Sequence, residues 1–382
     1  MSRGRFRHLS AIAELDAEAW DRLFNTDYPF VRHAFLDALE QSGSVGPETG
    51  WTPCHLLLEA DDGALLAACP LYLKAHSYGE FVFDFSWAQA SERLGRPYYP
   101  RLVVAVPFTP SSGPRWAAVD ADAEARLLRQ LSTLAADGDL SSTHVLFPPE
   151  VASGPLREHG ALLRHDVQYH WHNPGYADFD DFLGQLSADK RKKLRRERRR
   201  MPEAGIHYHR SPAATLSGRD WDHLYRLYAS TYAMRGQHPY LQRAFFEHYA
   251  ASKDCPLWVL QGRLDGQTVM MALFLQSGDC LYGRHWGSMI ELNGAHFETC
   301  YYQGIDWCIE QRLRRFDAGT QGEHKSARGF TPVITHSAHW LTHPRLREAV
   351  ADYLARERPA VAAHAEALRH HGAYRQAPAP DG

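Results

Sequence analysis

The sixteen residues from Asp317 to Pro332 bring together Asp317, Glu323, His324, Lys325 and Arg328 around Gly319, Gly322 and Gly329. Phe316 and Phe330 are the large apolar residues that bracket them. A core-forming segment would be periodic and apolar; this one has the composition of a loop that either solvates itself or holds something. A carboxylate or imidazole there can carry protons, and the two cations can meet an anion.

A second constellation precedes it. Phe297, Tyr301, Ile305, Cys308, Leu313 and Phe316 recur at helical spacing, which predicts a helix over His296 to Arg315 with that stripe in the core. Glu298 and Tyr302 fall four residues apart off the stripe, in its first turns. The carboxylate is either a cap and dipole contact or a general base placed where the helix meets the preceding strand.

The third is a charge spike. From Lys190 to Arg200 the chain holds nine of its 42 basic residues and one acid, Glu197, while the whole chain has a net charge of -3. On a helix, Leu186, Leu194 and Met201 share a face with Lys190 and Glu197 between them; Arg191, Arg195 and the other cations cover the rest. Such a face is either simply solvated or bound to phosphates of a coenzyme, an RNA backbone or anionic lipid head groups.

Other chemistries find less support. His336, His339 and His343, and likewise His165, His170 and His172, have spacings that could suit a metal, but no carboxylate or thiolate stands beside them at ligand spacing, and no metal site is expected. The six cysteines contain no C-x-x-C pair and read as small hydrophobes in a reducing compartment. There is no G-x-S-x-G elbow, no Walker A sequence and no G-x-G-x-x-G fingerprint.

The elements that must position these groups follow from pattern. At 382 residues the chain suits two domains, and its 44% hydrophobic and 23% charged content is that of a globular protein. No apolar run approaches the roughly 20 residues of a membrane span, and the start lacks the apolar region of a signal peptide, so a cytoplasmic protein is expected. Helices are predicted from Ala11 to Phe24, Arg32 to Gln41 and Ala121 to Ala136, with a hairpin turning at Asp61-Asp62-Gly63 and a strand from Thr143 to Phe147. The same grammar recurs later. A long helix is expected from Asp178 to Met201, with Ser187 as a break or a cap, then helices from Asp220 and Leu241 and a hairpin turning at Leu264-Asp265-Gly266. The strand Cys280 to Trp286, the helix with Glu298 and a strand at Phe316 complete the second half.

Three stretches together resemble the FemAB-like branch of the GNAT acyltransferase superfamily, and within it the bacterial N-acyltransferase group of peptidoglycan biosynthesis or recognition. These are Tyr282-Gly283-Arg284-His285-Trp286-Gly287, His296-Phe297-Glu298-Thr299-Cys300-Tyr301-Tyr302-Gln303-Gly304-Ile305, and the loop through Glu323-His324-Lys325-Ser326-Ala327-Arg328-Gly329-Phe330-Thr331-Pro332. Ser86-Trp87-Ala88, Tyr98-Tyr99-Pro100, Pro107-Phe108-Thr109-Pro110 and Leu186-Ser187-Ala188-Asp189-Lys190-Arg191-Lys192 extend the likeness from Asp27 to Trp340.

The resemblance implies an α+β fold of tandem GNAT-like domains, mixed and mostly antiparallel sheets flanked by helices. The domains would cover residues 1–175 and 176–370, the second carrying the basic helix 187–201, with 371–382 as a disordered tail. It implies transfer of an acyl or aminoacyl group to an amine, with acyl-CoA or aminoacyl-tRNA as donor substrate, no tightly bound cofactor and a cell-wall precursor as acceptor. That chemistry needs a base, an oxyanion donor and a cationic grip on the carrier. Glu298, Glu323 or His324 would be the base and Tyr301 or Tyr302 the hydroxyl donor. Lys325 and Arg328 would hold an anion, Arg284, His285 and Trp286 would line the site, and Lys190, Arg191 and Arg195 would meet a carrier's phosphates.

One departure stands out: the acyl-CoA signature Q/R-x-x-G-x-G/A is absent after the Thr268 to Gln276 strand. That favours aminoacyl-tRNA. The rival expectation is a non-catalytic GNAT-fold protein that recognises a cell-wall precursor, a nucleic acid or, peripherally, a membrane surface through the basic helix.

Overall fold

Asp265 and Gly266 both take positive φ, 49° and 78°, which is the backbone a two-residue hairpin turn demands. The strands Leu257–Leu264 and Gln267–Ser277 close antiparallel across them. In the computed structural model, which describes residues 4–320, 322–370 and 372–375, this hairpin is the centre of one of two compact units. The first unit comprises Met1–Asp166, Tyr240–His248 and Ile334–Ala362; the second comprises Val167–Pro239, Tyr249–Val333 and Ala363–Gly382. The sequence reading divides the chain once, between 175 and 176, whereas the units interleave along it.

In the second unit the strand order is His207–Pro212, Leu257–Leu264, Gln267–Ser277, Cys280–Ser288, Arg315–Asp317, and then the C-terminal part of Leu162–His172. Neighbours are antiparallel except Cys280–Ser288 and Arg315–Asp317, which run parallel. Parallel neighbours cannot be joined by a tight turn, and the helical segment 295–310 makes the crossover.

The first unit repeats this plan. Its strands run Trp51–Pro53, Leu71–Lys74, Arg101–Val104, Ser142–Leu146, and then the C-terminal part of Thr331–Leu341. The parallel pair is Arg101–Val104 with Ser142–Leu146, joined through the helix Ala121–Asp137. A further sheet of Arg5–Leu9, His55–Glu59, Leu65–Cys69 and Ala117–Ala118 completes it. The chain is thus α+β, with mixed, mostly antiparallel sheets flanked by helices. In each unit the outermost antiparallel strand comes from the other half of the sequence: residues 337–341 pair with Ser142–Leu146, and residues 170–172 pair with Arg315–Asp317.

The second unit's core gathers Trp171, Phe182, Leu194, Phe274, Tyr302, Ile305, Phe316 and Phe330. The expected long helix is two helices, Phe179–Gly184 and Ala188–Glu203; Ser187 between them caps the second by its carbonyl, which accepts from the Arg191 N–H, while its own N–H donates to the Ala373 carbonyl. Leu194, Glu197 and Met201 are the buried residues of the basic helix. The two apolar ones anchor it, each worth about 1.5–3 kcal/mol when fully buried. The expected disordered tail from 371 includes residues 372–375, which are bonded into the second unit. Ala373 is buried, Tyr374 bridges to Leu186, and its hydroxyl donates to the Gly329 carbonyl. Residues 371 and 376–382 lie outside the described residues.

Candidate active site

The parallel pair of the second unit stays together over Cys280–Tyr282 and Arg315–Asp317 and then parts, Arg315–Asp317 ending while the other strand continues to Ser288. The opening lies at the carboxyl ends of both strands, where open parallel sheets receive ligands. Two elements begin there: the crossover helix, entered through Met289 to Gly294, and the loop that follows Asp317.

The helix does not start as a regular α-helix. Glu298–Tyr302 is a π-turn, closed by the Gln303 N–H donating to the Glu298 carbonyl. The extra residue in that turn rotates both Glu298 and Tyr302 inward, although regular spacing places them off the core stripe. Both are buried. The helix also ends at Glu310, earlier than the predicted Arg315, so that Arg315 is free to begin the next strand.

Glu298 is the most exceptional group here. Its Oε1 accepts from Gln303 Nε2 at 2.8 Å and lies 3.5 Å from Arg198 Nε; its Oε2 is buried and has no hydrogen-bond partner among the described residues. Burial pushes its pKa up to about 6, against the pull of Arg198. Arg198 itself is held elsewhere. Its guanidinium pairs with Asp306, with Nη1 3.4 Å from Oδ1 and Nη2 bonded to Oδ2, and it rests 3.9 Å from the Phe179 ring centroid.

The preceding residue of the same helix, Glu197, reaches a different pair. Its carboxylate accepts from the Tyr302 hydroxyl and, at 3.1 and 3.2 Å, from Arg328 Nη2. Arg328 also donates from Nε to Tyr302 Oη at 3.0 Å and from Nη1 to the His324 carbonyl at 2.9 Å, and it lies 3.3 Å from the Phe297 ring centroid. Lys325 is equally committed: Nζ donates to the carbonyls of Ala318, Gly319 and Thr320 at 3.0, 2.7 and 3.2 Å. Burial lowers its pKa to about 8, yet three carbonyl acceptors require all three ammonium hydrogens, so the charged form is the one this geometry holds.

The two cations read from sequence as ligands for an external anion therefore hold the loop. The glycines likewise clear space for the protein's own rings. A Cβ at Gly329 would come within 2.7 Å of Phe182, and one at Gly322 within 2.4 Å of His324.

His324 is exposed, with Nε2 3.1 Å from the Tyr301 hydroxyl; burial and then the charges of Arg328 and Lys325 hold its pKa below the usual imidazole range. His296, set among Trp286, Phe297 and Tyr301, is pushed by burial down to about 4. Both rings are neutral at pH 7 and can accept a proton or donate an N–H. Glu323 points outward instead, near His364 at 3.7 Å and largely exposed.

Along Cys280–Ser288 the alternation of faces divides the predicted trio. Trp286 packs against His296, and Arg284 lies where the register with Gln267–Ser277 shifts. His285 turns the other way, its ring 5.0 Å from that of Tyr228 on the helix Gly218–Ala233. Gly287, on the His285 face, lies so close to this helix that a Cβ would meet the Leu227 carbonyl oxygen at 1.8 Å.

On the basic helix, Arg195 pairs with Asp180 at 3.0 Å and Lys190 and Arg191 are half-buried; Glu197 and Arg198 are the residues that enter the site. Sequence reasoning assigned neither a role. One signal was there: Glu197 is the single acid among nine cations and sits on the apolar stripe with Leu194 and Met201, where only a partnered carboxylate can be buried. Asp306 and Gln303, which set the surroundings of Arg198 and Glu298, carried no such mark.

The FemAB-like family model, described as peptidoglycan biosynthesis/recognition, matches residues 11–376. None of the curated proteins matches the chain. Among solved structures, the C-terminal domain assigned to lysylphosphatidylglycerol synthetase from Agrobacterium fabrum aligns at TM-score 0.56 and 9% identity, covering 90% of this chain and 96% of that one. FemX aligns at TM-score 0.50 and 13% identity, covering 91% and 100%. L-PGS from Bacillus licheniformis aligns at 0.50 and 12%, covering 83% and 95%. At these identities the likeness is one of fold.

Proposed function

Because the chain belongs to the FemAB-like family of peptidoglycan biosynthesis/recognition, we propose that it is an N-acyltransferase that moves an acyl or aminoacyl group onto an amine. The donor is an aminoacyl-tRNA or an acyl-CoA and the acceptor a cell-wall precursor. The observation that carries the reading is Glu298: a buried carboxylate with one oxygen unpartnered among the described residues, its pKa lifted to about 6, in the first turns of the crossover helix.

Forming the amide requires an ammonium to lose its proton before nitrogen attacks the acyl carbonyl, after which the ester or thioester bond to the carrier breaks. Glu298 Oε2 takes that proton, with a pKa close enough to neutrality to accept it and pass it on. Tyr301, hydrogen-bonded to the neutral His324, gives its hydroxyl proton to the departing carrier oxygen or sulfur and takes back the second proton that the attacking nitrogen sheds as the amide forms. On the basic helix Lys192, Arg196 and Arg199 are exposed and, among the described residues, have no ion pair; these meet the carrier's phosphates. A missing acyl-CoA signature tilts the donor towards tRNA. The strand that feeds the crossover helix is Cys280–Ser288, and the link from Met289 to Gly294 holds a single glycine.

The test is mass spectrometry of an amine-bearing cell-wall precursor incubated with the protein and, separately, a charged tRNA or an acyl-CoA. Product formation lost in Glu298→Gln supports the assignment; product formed equally well by that variant removes Glu298 from the mechanism. The second reading, an anion-binding protein without turnover, rests on the same exposed cations. It predicts salt-dependent binding of RNA and no product with either donor.

A further inference from the structure

The first unit contains a cavity of about 620 Å³, open to solvent, that plays no part in the site above; it is lined by His165 and Arg358, both half-buried, and by the exposed Arg157, Ala355, Pro359 and Ala362. Its size is that of a small-molecule pocket. Three elements build it: the helix Ser153–Glu158, the strand Leu162–His172 and the helix Pro344–His370. Two of its cations are idle. Among the described residues neither Arg157 nor Arg358 has a side-chain hydrogen bond or ion pair, while Arg164, outside the lining, is taken up by Glu357 at 3.0 and 2.8 Å.

His165 also faces a recess of about 40 Å³ shared with Asp166, Thr335 and His336, its ring 4.9 Å from that of His336. His336 is buried and its Nδ1 has no hydrogen-bond partner among the described residues. Pro359, inside the helix Pro344–His370, and Ala355 one turn back both line the larger cavity. Both arginines bear on His165, and Glu150 is the acid that opposes them from outside the cavity lining.

We propose that this cavity binds a phosphate monoester carrying an apolar group. Two guanidinium forks and an imidazole N–H match the three terminal oxygens of a phosphate, and the alanine and proline wall takes the apolar part. The phosphate belongs either to a free small molecule or to a lipid head group.

Calorimetry on the full chain with phenyl phosphate, benzoate and phenol tests this. Phenyl phosphate should bind and phenol should not, and R157Q/R358Q should weaken binding by roughly tenfold or more, with an unchanged melting temperature reporting an intact fold. R196Q/R199Q, on the basic helix, should leave binding unaltered. Vesicles containing phosphatidic acid that compete with phenyl phosphate would assign the phosphate to a lipid; vesicles that do not compete would assign it to a free metabolite. No binding of phenyl phosphate, equal binding of benzoate, or loss of binding in R196Q/R199Q with retention in R157Q/R358Q would overturn the proposal.

Discussion

Arg198 Nε stands 3.5 Å from Glu298 Oε1, within ion-pair range but beyond a good hydrogen bond, because its guanidinium is committed to Asp306. Asp306 thereby keeps the positive charge from fully stabilising the Glu298 carboxylate. A base with a pKa near neutrality depends on that restraint.

Replacing Asp306 by Asn should release Arg198 towards Glu298 and lower the carboxyl's pKa below about 6. The acidic limb of the pH–rate profile should move to lower pH and the plateau rate should fall. A profile that keeps its limb in D306N would show that Asp306 does not govern the base.

Glu298→Gln should cost about 10²–10⁴ in turnover if the carboxylate is the base. Its effect on stability has the opposite sign. With the folded-state pKa raised from 4.5 to about 6, the wild-type residue contributes stability that is fully present below pH 4.5 and lost as pH rises through 6. The Gln variant should be more stable than wild type at pH 7, by an amount on the order of 2 kcal/mol, and no more stable at pH 4. Urea titrations at the two pH values measure the crossover.

Glu197→Ala should be severe, because it leaves the buried Arg328 without its carboxylate and removes the acceptor of the Tyr302 hydroxyl. A loss of about 3 kcal/mol is expected. Pairing it with Arg328→Met should recover part of that loss. A double variant that is the sum of the two single ones would mean the residues act independently.

Two glycines should respond differently to alanine. At Gly287 the new Cβ would lie 1.8 Å from a main-chain oxygen, and neither backbone can yield cheaply, so a loss of about 3 kcal/mol or more is expected. Gly63 has φ +86° and nothing within 4 Å of the added atom, so the cost should be about 1–2 kcal/mol from conformation alone. Equal losses in chemical denaturation would show that the close approach at Gly287 relaxes.

If the basic helix meets a nucleic acid, removing the charges of Lys192, Arg196 and Arg199 together should weaken tRNA binding and reduce the slope of log K against log salt by about 2. An unchanged slope would place the contact elsewhere.

The sequence made the hairpins, the crossover helix and the buried stripe of the basic helix readable, since each is a local pattern of period two or 3.6 closed by Gly, Pro or Asp. It also singled out Glu298. What it could not show was direction. Lys325 and Arg328 have the same composition signal whether they face a ligand or their own loop, and only the partners decide. Arg328's partner is 131 residues away. The π-turn was equally hidden, because nothing in Glu298 to Tyr302 departs from ordinary helical composition.

The exchange of outer strands between the halves limits how this gene can be cut. A breakpoint at 175/176 would part residues 337–341 from Ser142–Leu146 and residues 170–172 from Arg315–Asp317. Each fragment would be left with an exposed strand edge where it now has a neighbour, so the halves must be inherited together, and recombination between relatives should spare the joint.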